Sequence, residues 1–237
     1  MSITEHLEEL RRVLAISLIA WVVATAIAFI FHTQLLALLL HPLDTTLAGQ
    51  NTLMQHAIFT SPVEGFTIPL KVAGAGGFIL ALPIVLWQVW TFVSPGLKVN
   101  ERKFVGPFVA SALLLFAAGA AFAYFVMPIG LRFLTSFLGS DVQYFPDINQ
   151  YLSFFVFLIL VFAVTFELPL VIVLLGAMRI VSSSWLRARR KGAWVVIILA
   201  AILITPGADP FTPTALAIPL LLLFEAAILV LDKALKR

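Results

Sequence analysis

FVGPFVASALLLFAAGAAFAYFVM, residues 104–127, contains no acidic, basic or histidine side chain. A helix of about twenty residues crosses a hydrocarbon core of about 30 Å at a rise of 1.5 Å per residue, so this stretch is long enough to span a bilayer. It follows directly on KVNERK, residues 98–103, in which three basic residues crowd one acid, Glu101. Basic residues in short loops are retained in the cytoplasm, so the helix starts on that side.

The same length test, applied outward, selects residues 13–31, 68–92 and 152–178. Two shorter apolar runs follow: residues 192–204 would give roughly 20 Å of helix and residues 214–231 roughly 27 Å. Between them TPGADPFTP, residues 205–213, holds three prolines and a glycine and must turn or break the chain. The pair reads either as two short spans in a locally thinned bilayer or as one re-entrant hairpin. Thirteen of the fifteen basic residues fall in alternate segments. These are Arg11 and Arg12; Lys98, Arg102 and Lys103; Arg179, Arg187, Arg189, Arg190 and Lys191; and Lys233, Lys236 and Arg237. Both termini are therefore expected inside, with Lys71 and Arg132 as the outer exceptions. The first outer segment, 32–67, has no Lys or Arg, and its apolar piece LLALLLHPL ends at Pro42, so a short helical cap on the outer face is expected.

Composition agrees: 62% of the residues are apolar and 11% charged, against roughly 45–50% and about 25% in a soluble domain. The expected fold is an all-α polytopic membrane protein forming a single membrane domain over residues 1–237. The first apolar run is expected to stay as an anchor, since no small-residue cleavage site follows it. A net charge of +3 arises from basic residues beside apolar runs, a topology signal and not a nucleic-acid footprint. Cysteine is absent from the sequence, which excludes disulfides, thiolate metal sites and cysteine nucleophiles. His6, His32, His41 and His56 have no close ligand spacing, so no metal site is expected. With no nucleophile elbow and no phosphate loop, hydrolase and ATPase readings lack residues to carry them. GAGG, residues 74–77, lies inside a span and suits close helix packing.

Few ionisable groups lie inside the apolar runs, where a charge costs about 2.5–3.5 kcal/mol on insertion scales. Glu167 is the deepest, about 22 Å of helix from one end of its run and about 16 Å from the other. It must face protein or a water-filled cavity, either as a functional acid or as a hydrogen-bonded link between helices. Pro169 beside it can kink the helix. Glu225, near the cytoplasmic end of its run, is expected to pack or to meet Lys233 and its neighbours. Lys71 is within snorkelling reach of the outer interface, and Gln88 can hydrogen-bond between helices. At the N-terminus Ser2 and Glu5 have capping-box spacing; Glu8 can pair with Arg12 four residues on, which leaves Glu5 and Glu9 on one face without an obvious partner.

Eight of these segments, in this order, carry a resemblance: HLEELRR (6–12), LPIVLWQVWTFVSPGL (82–97), NERK (100–103), AFAYFVMP (121–128), YLSFF (151–155), FELPLVIVLL (166–175), TPGAD (205–209) and LAIPLLLLFE (216–225). The series resembles the TatC family, the multispanning receptor component of the twin-arginine protein translocase. The resemblance implies six spans, both termini cytoplasmic, two short final helices and a concave, glove-like bundle in a bacterial-type cytoplasmic membrane. It implies binding of twin-arginine signal peptides at the cytoplasmic face, and transport of folded proteins with single-span TatA and TatB partners. It further implies a homo-oligomer within the complex, driven by the proton-motive force, with no cofactor and no enzymatic centre. By the same resemblance Glu9 and Glu101 are the signal-recognition acids and Glu167 the intramembrane acid. Arg11, Gln88, Phe92 and Pro95 lie in matching segments as supporting positions, and Pro42 and Asp209 are expected as outer-face structural residues. Departures from the pattern are a very short tail after Leu231 and an extra outer charge at Arg132.

Chemistry suits those positions, because an arginine is always charged and presents a planar fork that a carboxylate accepts in bidentate fashion. Two arginines call for two acids. From composition alone a proton-coupled small-solute carrier using Glu167 is the alternative, but carriers place several polar groups at mid-membrane and this chain offers Glu167 almost alone.

Overall fold

The computed structural model describes residues 3–47, 61–93, 105–137, 146–205 and 209–235. Among them the chain forms nine helices: α1 (Ile3–Ile30), α2 (His32–Leu47), α3 (Glu64–Val93), α4 (Val105–Thr135), α5 (Ile148–Thr165), α6 (Leu168–Ala177), α7 (Ser183–Ala188), α8 (Arg190–Ile204) and α9 (Phe211–Leu235). Five stretches are long and apolar enough to cross a membrane: Glu5–Ile30, Glu64–Phe92, Gly106–Thr135, Ile148–Ala177 and Phe211–Lys233. α8 is apolar but only 15 residues long. The fold is all-helical among the described residues, as the hydropathy pattern requires.

The chain divides into two compact units, residues 1–113 with 143–156, and residues 114–142 with 157–237. In the first unit α1 and α3 pack so closely that a β-carbon at Gly77 would lie 2.5 Å from both the backbone nitrogen and the α-carbon of Thr25. Helices in lipid gain little from apolar burial against each other, so small residues that let backbones meet carry the contact. Ala24, Ala28 and Ala73 line it, all buried, and the Trp21 indole donates to the Gly74 carbonyl at 2.9 Å. The GAGG reading therefore holds at Gly77, and at Gly76, where a β-carbon would meet Leu35 of α2 at 2.8 Å.

The helix expected as a cap is α2, and it runs past Pro42 to Leu47 instead of ending there. Pro42 and Leu43 are fully buried, and the Thr45 and Thr46 hydroxyls both donate to the Pro42 carbonyl, at 3.0 and 2.8 Å. Burial and these local bonds offset the hydrogen bond that proline cannot donate. From α5 the Tyr151 hydroxyl donates to the Leu39 carbonyl at 2.9 Å and ties the cap to the span beneath it.

In the second unit a β-carbon at Gly119 would lie 2.6 Å from the Phe162 carbonyl oxygen, so α4 and α5 also meet backbone to backbone. Phe122 stacks on Phe162 at 5.5 Å beside that contact. α6, α7 and α8 all pack against α9, where Gly176 faces Leu231. α4 continues through Pro128 to Thr135, two turns beyond the expected end of its span.

Candidate functional site

Glu9 lies on α1, one turn before the apolar run begins at Val13. It is half-buried, and its Oε2 is buried with no hydrogen-bond partner among the described residues. A carboxylate oxygen held from water without a donor is costly, about 1–3 kcal/mol for an unmade bond, so it is a ready acceptor. One turn back, His6 stacks on Phe92 at 4.4 Å with the rings 19° apart. That stack joins the start of α1 to the end of α3, the two segments that flank the expected recognition acids.

As a sequence position His6 has no metal-ligand spacing and is otherwise the first residue of HLEELRR. Its place beside an aromatic in WTFV of another span was a signal, but pairing them required the α1–α3 register. Arg11 is exposed on α1 and Gln88 half-buried on α3. Glu101 and Pro95 lie outside the described residues. Glu8 and Arg12 are both exposed, and the expected pair between them is not among the ion pairs of the described residues. An exposed pair on one helix face gains too little over water to hold two long side chains in place.

Glu167 belongs to the second unit and occupies a break in the fourth apolar run. α5 ends at Thr165 and α6 begins at Leu168. Pro169 cannot donate to the Thr165 carbonyl, and its ring crowds that carbonyl, so the helix yields just before it. The Glu167 N–H turns to the Val164 carbonyl at 3.1 Å, a tightened bond, and Val171 N–H resumes the ladder on the Glu167 carbonyl at 3.0 Å. The kink expected from Pro169 is thus a local break in the bonding ladder between α5 and α6, with Glu167 itself still in helical backbone conformation. Oε1 of Glu167 is buried with no partner among the described residues, so its side chain does not serve as a hydrogen-bonded link between helices there.

Two other charged groups inside the spans, Glu225 and Lys71, have partners among the described residues. Glu225 accepts from Arg190 Nη2 at 2.6 Å and from Trp194 Nε1 at 3.1 Å, both on α8, which replaces the expected contact with Lys233. Lys233 is one residue past Asp232, on a different face of α9, whereas the antiparallel α8 brings Arg190 to Glu225. Lys71 does not snorkel alone: its Nζ donates to Asn149 Oδ1 and Ser153 Oγ, each at 2.5 Å, across to α5. Asp209 accepts from the Thr212 N–H at 2.7 Å and the Thr212 hydroxyl at 3.0 Å at the start of α9. No group of three or more His, Asp or Glu residues able to hold a metal occurs among the described residues.

A family model for the Sec-independent protein translocase protein (TatC) matches residues 5–219. The chain belongs to the TatC family. It is 39% identical to the TatC of Carboxydothermus hydrogenoformans over 97% of this chain and 92% of that protein. It is 35% identical to the TatC of Aquifex aeolicus over 96% and 93%. A crystal structure of the twin-arginine translocase receptor TatC superposes with a TM-score of 0.82 at 34% identity, covering 98% of this chain and all of that one. As a TatC-family member the chain is a multi-pass membrane protein and a translocase component, not an enzyme.

Proposed function

We propose that this chain is the receptor subunit of a twin-arginine translocase and that Glu9 and Glu101 together hold the two arginines of a signal peptide. The observation that carries the reading is the Glu9 carboxylate, with one oxygen buried and unpartnered among the described residues at the first turns of α1. A guanidinium supplies the missing donors and the opposite charge, and its bidentate geometry matches a carboxylate.

The distribution of basic residues supports six spans with both termini in the cytoplasm, α8 and α9 being the last two. It places Glu9 and Glu101 on the same side of a bacterial-type cytoplasmic membrane. The protein assembles with further copies of itself and with single-span TatA or TatB partners, and carries folded proteins at the expense of the proton-motive force. It needs no cofactor. Glu167 receives a polar group from the deeper part of the signal peptide or from a partner helix. A proton-coupled carrier reading of Glu167 is not favoured, because Lys71 and Glu225, the other charged groups that the sequence places within the apolar runs, already have partners.

Photo-cross-linking from positions 9, 101 and 167 to a twin-arginine signal peptide tests the three assignments together. Adducts at 9 and 101 that disappear with a twin-lysine peptide are expected. Adducts that survive that replacement would remove the arginine-recognition reading.

A further inference from the structure

The corner between α6 and α8 is built as a rigid cationic surface at the edge of the lipid face. α7 turns Ser183 and Leu186 inward, both buried, and leaves Trp185 47% exposed. The Ser182 hydroxyl accepts from the Trp185 N–H at 3.2 Å and fixes the start of the helix. Each of its three arginines is then held by a named partner. Arg187 pairs with Asp232 and Arg190 with Glu225, so α9 grips the corner at two points. Arg189 lies over the Trp185 ring, its guanidinium carbon 4.4 Å from the ring centre.

The Arg189 side chain is otherwise exposed, so its guanidinium N–H donors are open to a ligand. No acceptor meets them among the described residues. Lys191, next along the chain, is exposed and has no ion-pair partner among the described residues. Counting the four cations Arg187, Arg189, Arg190 and Lys191 against the carboxylates of Glu225 and Asp232 leaves a surplus of two positive charges. Around them the exposed side chains are apolar: Ile180 at 63%, Trp194 at 41% and Val195 at 56%. A soluble acidic partner has no use for half-exposed tryptophans beside an exposed isoleucine. A lipid whose phosphate meets the cations while its acyl chains lie along α8 uses both.

We infer that the α7–α8 corner is a binding site for the phosphate headgroup of an anionic phospholipid, with Arg189 and Lys191 as its donors and Trp185 as the platform that orients Arg189. The site is separate from Glu9 and Glu101 and does not depend on their role. Because Arg187 and Arg190 keep their acid partners when Arg189 and Lys191 are changed, the double variant retains the packing of the corner.

Native mass spectrometry of the purified full chain, offered equal amounts of phosphatidylglycerol and phosphatidylcholine, tests this directly. Preferential retention of phosphatidylglycerol is expected, and Arg189→Gln with Lys191→Gln should lower that preference about fivefold for each cation removed. Trp185→Leu keeps the charge but loses the platform and should lower it less. Arg132→Gln, a cation elsewhere in the chain, should leave it unchanged, as should millimolar inorganic phosphate. Equal retention of the two lipids, or a double variant with undiminished preference, overturns the site. Signal-peptide cross-linking at positions 9 and 101 in the same double variant should be intact, so loss of lipid preference and failure of the receptor reading are separately visible.

Discussion

Glu225 and Glu9 are both glutamates near an end of an apolar helix, yet the protein treats them in opposite ways. Around Glu225 two donors from α8 converge, at 2.6 Å from Arg190 and 3.1 Å from Trp194. Around Glu9 one carboxylate oxygen is buried and no donor from the described residues reaches it. Glu167 sits with Glu9 in this respect. An acid whose bonds are made inside the chain holds helices together, whereas an acid kept partly from water with a bond unmade costs stability and is available to a donor from another molecule. The difference separates acids already satisfied within the chain from acids left open to an outside donor, without any appeal to depth in the membrane.

The largest effect is expected where that contrast is sharpest. Glu9→Gln should weaken twin-arginine signal-peptide binding roughly ten- to a hundredfold, the loss of a charge-assisted contact, while leaving the unfolding temperature in detergent unchanged or higher. A Gln variant that binds normally would show that charge is not what Glu9 contributes. Glu225→Ala should behave in reverse, because it strands Arg190 and Trp194. A stability loss of about 1–2 kcal/mol is expected, discounted for the partial exposure of the pair, with signal-peptide affinity retained. If affinity falls and stability does not, the assignment of Glu225 to structure is wrong. Trp194→Phe removes only one of the two donors and should cost about 1 kcal/mol or less by the same unfolding measurement; a cost equal to that of Glu225→Ala would mean that the indole, not the ion pair, is the main contact. Glu167→Gln should move stability least, by about 0.5 kcal/mol or less, since no bond among the described residues is lost. A large destabilisation would instead reveal Glu167 as a structural link.

Much of this was legible in the chain itself. Apolar run length and the alternation of basic segments marked the spans, because hydrocarbon thickness and backbone hydrogen bonding constrain membrane helices more tightly than water constrains soluble ones. GAGG announced a close crossing for the same reason. Boundaries at prolines were less legible. Pro42 reads as an end and is an interior residue, while Pro169 reads as a kink and accompanies a break, since the outcome depends on whether burial and neighbouring hydroxyls replace the missing bond. Partners across helices were not legible at all: nothing in the order of residues says that Glu225 meets Arg190 instead of Lys233, or that Lys71 reaches Asn149 and Ser153.

The sequence by itself determined that this chain lives in a membrane, which stretches are long and apolar enough to cross it, which family it resembles and which acids are candidates for recognition. Those properties depend on transfer of side chains into lipid and on contiguous motifs, both local along the chain. Only the tertiary structure decided which acids are already satisfied, which prolines interrupt a helix, and that His6 rests on Phe92. A hydrogen bond or a ring stack between helices depends on register and rotation to within about an ångström, and that is set by how small residues such as Gly77 and Gly119 let the backbones meet.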